Sequence, residues 1–247
     1  MRLQQFVMIL LVLAGGTLGS MASTGGKKIL MVVTGADTMT NGKPTGLWLE
    51  EFAVPYLLFK AEGYFVTVAS PQGGKAPVDE RSLEDAQRVL KWSEAVEALN
   101  DTQPLAALKA SDYDAIFIPG GHGTMFDFPK NQALKNLLRD FDAENKVIAS
   151  VCHGPAAFVG VFSADGVPLV KNKTVTSFTD EEEKAVQLDK AVPFLLESQL
   201  RKDGAKFVAG EMWKPNVQVD GQLVTGQNPA SSQGAAEAVI RLLKQGK

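Results

Sequence analysis

The stretch Lys146–Phe158, KVIASVCHGPAAF, decides how this chain is read. Val147 to Val151 is a short apolar run with β-branched residues, the pattern of a strand covered on both faces. Gly154, Pro155 and two alanines follow, which predicts a tight turn running into a helix. The chain's one cysteine, Cys152, stands at that junction, with Ser150 two positions before it and Gly154 two after. Small residues at those positions let the backbone turn sharply and lift a nucleophile above the end of a sheet, as in the G-x-S-x-G elbow. A helix N-terminus beside the thiol would favour the thiolate. The context therefore reads as a functional cysteine rather than an inert buried one.

Upstream, Lys28–Val33 is a second apolar strand, followed by a polar loop over 35–45. Gly42-Lys43 falls short of a phosphate loop, because Asp37 replaces its first glycine and Pro44 its Ser or Thr. Residues 46–61 read as a helix that Pro55 would kink or break. Glu50 and Glu51 lie on it about 100° apart, so one can face inward while the other meets solvent. Residues 64–69 and 115–118 are further strands, and 82–108 is polar and helical in pattern. Pro119-Gly120-Gly121-His122-Gly123 ends the third strand. Phe126 stands at the third glycine position of a dinucleotide fingerprint and defeats it. Such a glycine turn can instead present backbone N–H groups to an oxyanion.

Beyond the elbow, 131–144 having led into it, residues 173–176 read as a fifth strand of the same sheet. Asp180 to Glu183 reads as the solvated acidic start of a helix. A helix over 192–201, a short strand at 206–208, a hairpin over 217–225 turning at Asp220-Gly221, and a final helix over 233–244 complete the chain. Alternating strands and helices imply one α/β domain with a largely parallel sheet and helices on both faces.

The first 22 residues stand apart from that domain. Arg2, the apolar run Phe6–Ala14 and Ser20-Met21-Ala22 have the layout of a secretory signal cleaved before Ser23, too short for a membrane span. The chain so read is exported, periplasmic or secreted, with a mature domain over 23–247. Loss of Arg2 leaves 24 basic and 28 acidic residues, moving the net charge from -3 to -4. That balance points to neither nucleic acid nor an anionic membrane as a partner.

Histidine content narrows the chemistry. The chain has His122 and His153 alone, with none downstream of 153, where a papain-like hydrolase or glutamine amidotransferase needs its base. One cysteine and two histidines make a closed zinc site an improper fit. His153 adjoins Cys152, and neighbouring helical residues do not face each other, so it is poorly angled to deprotonate the thiol. For His122, packing within the glycine loop and a catalytic role both stay open.

Taken together, Cys152-His153-Gly154-Pro155, residues 119–124 (PGGHGT), Thr45-Gly46 with Glu51, Ser177-Phe178-Thr179-Asp180 and residues 224–229 (VTGQNP) resemble the ThiJ/PfpI superfamily. This is the class I glutamine amidotransferase-like fold, and within it the residues resemble the branch of heat-shock chaperones and glutathione-independent glyoxalases (glyoxalase III). The resemblance implies a flavodoxin-like sheet, a homodimer, and a stress-response role. It also implies Cys152 as nucleophile, His153 as its partner, Glu183 as the acid orienting that histidine, and Glu51 as the carboxylate approaching the thiol. Gly120, Gly121 and His122 would lie at the substrate, with the Gly121 and His153 amides as oxyanion donors. The implied reaction turns methylglyoxal or glyoxal into lactate or glycolate through a Cys152 hemithioacetal, without metal, glutathione or nucleotide. A cysteine hydrolase that repairs glycated protein, and a holdase chaperone with little catalysis, are the competing readings.

Overall fold

In the computed structural model, which describes residues 26–246, seven strands form one sheet. They are β1 (Lys28–Val32), β2 (Phe65–Ser70), β3 (Gln103–Pro104), β4 (Ala115–Ile118), β5 (Val147–Val151), β8 (Val217–Asp220) and β9 (Leu223–Gly226). Their spatial order is β3-β2-β1-β4-β5-β9-β8, all parallel except the antiparallel edge strand β8. The segments β1, β4 and β5 are almost wholly buried, as their apolar runs require. The predicted signal segment lies outside the described residues. Among the described residues, no helix is long and apolar enough to cross a membrane.

Helices cover both faces. Against one lie α1 (Leu49–Ala61), α2 (Ala86–Lys91), α3 (Ser93–Ala98) and α8 (Ser232–Gln245), which share a core with Met31, Phe117 and Ala149. Against the other lie α4 (Thr124–Asp127), α5 (Gln132–Ala143) and α7 (Leu196–Lys202), sharing a core with Leu30, Ile116 and Ile148. In α5 the buried residues Leu134, Leu137, Leu138 and Phe141 recur at helical spacing on one face. Each such fully buried side chain is worth about 1.5–3 kcal/mol. Asn131 starts α5 by accepting from Leu134 N–H. The fold is the α/β architecture with helices on both faces that the strand pattern predicts, with the flavodoxin-like sheet that the resemblance implies.

Three expectations need correction. Residues 173–176 do not join the main sheet: β6 (Thr174–Val175) pairs with β7 (Lys206–Phe207) in a separate two-stranded sheet. The place beside β5 goes to β9 instead, so the hairpin over 217–226 completes the main sheet. Pro55 does not break α1, since it is buried in the middle of a continuous helix. The helix predicted over 192–201 begins only at Leu196.

The segment after Cys152 also departs from expectation. Gly154–Phe158 is a buried 3₁₀ helix, not an α-helix. With five residues it aligns fewer peptide dipoles at the thiol than the expected α-helix would.

Candidate active site

Loops and the first turns of two helices meet at the carboxyl ends of β4 and β5. The elbow itself holds Cys152 in the left-handed region, φ +59°, a conformation that costs a non-glycine residue energy. Its N–H donates to Gly226 O of β9 and its carbonyl accepts from Phe178 N–H, so both sides of the turn are pinned. Gly154 is required there: a Cβ would fall 2.3 Å from Ile118 O and 2.4 Å from Ser150 Oγ. Ser150 in turn donates to Ile118 O, joining β5 to β4 through a side chain.

That backbone overturns the angular objection to His153. With Cys152 left-handed, the two neighbours are not helical, and Sγ lies 3.2 Å from His153 Nδ1. His153 Nε2 donates to Glu183 Oε2 at 2.7 Å. The thiol, imidazole and carboxylate thus form a line, with the Nδ1 lone pair turned toward sulfur.

Glu183 is not on a solvated face. Together with Glu182 it is buried at the start of α6 (Asp180–Ala185). Burial by itself would raise its carboxyl, but the charge of His153 and hydrogen bonds from both histidines hold it well below the usual range. Glu182 anchors this turn. It exchanges hydrogen bonds with Thr179 in a capping box, and its Oε1 accepts from Trp213 N–H, Gln227 Nε2 and Asn228 Nδ2. An acidic run reads as solvated when these donors, 31 to 46 residues away in sequence, are not in view.

His122 belongs to the same cluster. Its Nε2 donates to Glu183 Oε1 at 2.9 Å, and its ring lies 4.0 Å from that of His153, centroid to centroid. One carboxylate therefore serves two histidines. Burial, then the charge of His153, and further that of Arg81, lower His122 to about 4 despite its contact with Glu183. Arg81, which nothing in its polar stretch of sequence singles out, approaches His122 Nδ1 at 3.4 Å.

Glu51 closes the other side. The entry to α1 is fixed by Trp48 N–H donating to Gly120 O, which aims the first turn of the helix at the elbow. Glu51 is fully buried, its Oε2 accepts from Gly120 N–H at 2.8 Å, and its Oε1 has no hydrogen-bond partner. Burial raises its carboxyl to about 8, with the Cys152 and Gly120 contacts pulling the other way. Burial and the Glu51 carboxylate push the Cys152 thiol up in turn, while the Gly121 N–H pulls it down. Glu50, round the helix, is paired with Arg88 at 3.2 Å.

The seven residues singled out from sequence are thus brought together. The Gly120 N–H is taken by Glu51. Residue 120 must be glycine, since a Cβ would stand 2.6 Å from His153 N and 2.8 Å from Glu51 Oε2. Donor atoms of His122, His153 and Glu183 lie within 4.8 Å of one another, close enough for a metal ion. The fit is poor, because both histidines already donate to Glu183 and a guanidinium faces the free nitrogen of His122.

Comparison with known proteins identifies the family of the chain. The DJ-1/PfpI family model matches residues 27–242. Glutathione-independent glyoxalase HSP31 of Saccharomyces cerevisiae is 34% identical, covering 88% of this chain and 98% of its own. Among solved structures, glyoxalase III of Candida albicans superposes with a TM-score of 0.79 at 31% identity, over 87% of this chain and 97% of its own. Rapid Encystment Protein 24 KDa of Francisella tularensis gives a TM-score of 0.83 at 36% identity, over 88% of this chain and 99% of its own. The chain belongs to the DJ-1/PfpI family.

Proposed function

We propose that this protein is a glutathione-independent glyoxalase, converting methylglyoxal or glyoxal to lactate or glycolate. The observation that carries the reading is the pairing of a buried thiol, Cys152, with a buried carboxyl, Glu51, whose Oε1 is uncommitted. An isomerisation between adjacent carbons needs one nucleophile and one group that both takes and returns a proton. Similarity to the relatives named glutathione-independent glyoxalase over most of the chain supports the same activity.

Sulfur loses its proton to His153 Nδ1 and bonds to the aldehyde carbon, whose oxygen takes the proton held by Glu51, giving a hemithioacetal and leaving the Glu51 carboxylate ionised. Glu51, ionised, takes the hydrogen from that carbon and returns it to the neighbouring one through an enediol, leaving a thioester. Water then cleaves the thioester, releasing the 2-hydroxy acid and restoring the thiol. Glu183 stabilises the imidazolium at His153 during the first step, and the Gly121 N–H faces the sulfur. A thiol only 4% exposed suits a substrate of a few atoms rather than a glycated protein side chain.

Export is part of the proposal, resting on Arg2, the apolar run and Ser20-Met21-Ala22; N-terminal sequencing of protein from the producing cells tests it, and an intact Met1 defeats it. Homodimerisation rests on the resemblance alone and is checked by light scattering. A holdase role has separate support in a cleft of about 600 Å³ whose lining includes Leu49, Val78, Leu83, Val89 and Val96 and does not include Cys152. The deciding assay incubates purified protein with methylglyoxal without glutathione and measures lactate. Lactate from wild type and none from Cys152→Ser supports the reading; equal yields from both overturn it.

A further inference from the structure

Glu183 is shared by two histidines, and catalysis through His153 requires that the other one stay uncharged. Both rings place Nε2 on the carboxylate, His122 at 2.9 Å and His153 at 2.7 Å. Both are buried and stacked 4.0 Å apart. A proton arriving at either ring would be stabilised by the same carboxylate, and two imidazolium rings so close would repel. If His122 took the proton, Glu183 would be neutralised by the wrong ring. His153 would then be a weaker acceptor for the thiol proton.

The asymmetry between the rings lies at Nδ1. For His153 that nitrogen faces Cys152 Sγ at 3.2 Å; for His122 it faces the Arg81 guanidinium at 3.4 Å. A guanidinium is permanently protonated and can only donate. The His122 nitrogen opposite it must therefore present a lone pair, which leaves the ring neutral with its proton on Nε2. We propose that Arg81 is the positioning residue that decides which of the two histidines sharing Glu183 receives the thiol proton, by holding His122 neutral and reserving the carboxylate for His153.

The surroundings of His122 fit this assignment. The charged or titratable groups facing it are Glu183 from α6, His153 from the elbow and Arg81 from the 3₁₀ turn Glu80–Leu83. Phe178 presents an uncharged ring edge. Arg81 is itself aimed from behind: Nε donates to Asp79 Oδ1 at 2.9 Å and Nη2 to Asp79 Oδ2 at 2.6 Å. The Asp79 side chain is buried, and the segment is tied to the site because Asp79 N–H donates to Leu47 O. The donors therefore run in one direction, from Arg81 through His122 to Glu183, while the other oxygen of Glu183 accepts from His153. Of the contacts made by the two histidines, the one between His153 and Cys152 is left to pass a proton.

The proposal rests on the glyoxalase reading for its kinetic arm but not for its spectroscopic one. With two histidines in the chain, their side-chain ¹⁵N signals in the full-length protein separate cleanly. In wild type, His122 is expected to be neutral with its proton on Nε2 from pH 6 to 8. The double variant Arg81→Met/Asp79→Asn removes the guanidinium without leaving a buried carboxylate unpaired. Arg81→Gln, which leaves a neutral amide near Asp79, serves equally if the double variant does not fold. In either, His122 is expected to take up its proton at a higher pH than in the wild type. The kcat for lactate formation should fall about tenfold or more, as when the outer partner of a functional histidine is lost, with KM changed less than about threefold. A variant in which His122 keeps its wild-type protonation and tautomer overturns the proposal, as does one in which it charges with no loss of kcat. Absence of lactate from the wild type would sink the glyoxalase reading, while the ring spectra would still decide the role of Arg81.

Discussion

The sulfur of Cys152 lies 3.2 Å from Nδ1 of His153, its own neighbour in sequence. Adjacent residues can meet this way because the φ of +59° at Cys152 folds the first side chain back toward the second. His153→Gln keeps a side chain of similar reach but offers no basic nitrogen. It should lower kcat for lactate formation by about 10²–10⁴-fold and slow alkylation of the thiol by iodoacetamide. Alkylation at the wild-type rate would show that His153 takes no proton from sulfur.

The two adjacent glutamates of α1 should separate completely in function. Glu51→Gln removes the group that carries the proton between carbons and should cost about 10²–10⁴-fold in turnover. Glu50→Gln loses a half-exposed pairing with Arg88 and should keep turnover within about threefold. Both are compared after circular dichroism shows that they fold. A dead Glu50→Gln, or an active Glu51→Gln, reverses the assignment.

Stability should depend on pH in a way these buried groups dictate. Folded Glu51 titrates near 8 rather than 4.5, so between those values the folded protein holds a proton that the unfolded chain has released, and stability falls as pH rises. Folded His122 titrates near 4 rather than 6.5, so over that span the unfolded chain holds the extra proton, and stability falls as pH drops. The two slopes oppose each other from about 4.5 to 6.5, and above that Glu51 acts alone. From pH 6.5 to 8 the wild type should lose about 2 kcal/mol by this route. Urea unfolding across that span should show the loss, and Glu51→Gln should not; an equal slope in both would assign the loss to another group.

Gly154→Ala tests the elbow. The added methyl would meet Ile118 O and Ser150 Oγ, both within 2.4 Å of it, so β4 and β5 must part or the turn must shift. The expected cost is about 1–3 kcal/mol of stability and about 10²-fold in turnover from a misplaced sulfur. Unchanged melting and unchanged turnover would show that the turn has room to spare.

What could be read from sequence was local. The runs at β1, β4 and β5 carry their burial in their composition, and Glu50 and Glu51 carry their divergence in the pitch of a helix. Partners were harder. Thr174–Val175 looks like any short strand, and nothing in its residues says that Phe207 rather than Val151 lies beside it. The acidic run of α6 reads as solvated because the donors that bury Glu182 come from Trp213, Gln227 and Asn228. The contact between Cys152 and His153 was hidden by a single backbone angle. Arg81 was hidden because a cation in a polar segment is ordinarily a surface residue.

The seating of β9 beside β5 has a consequence for the order of events in the life of the chain. The Cys152 N–H is held by Gly226 O, in a strand synthesised long after the elbow itself. Until Leu223–Gly226 has left the ribosome and inserted next to β5, that edge of β5 is bare and the turn at the thiol is unsupported. Such long-range parallel pairing is slow to form. A chain stopped before Gly226 therefore exposes the apolar edge of β5 and lacks the carbonyl that holds the Cys152 N–H. The reactive sulfur is set in place only when nearly the whole domain is complete.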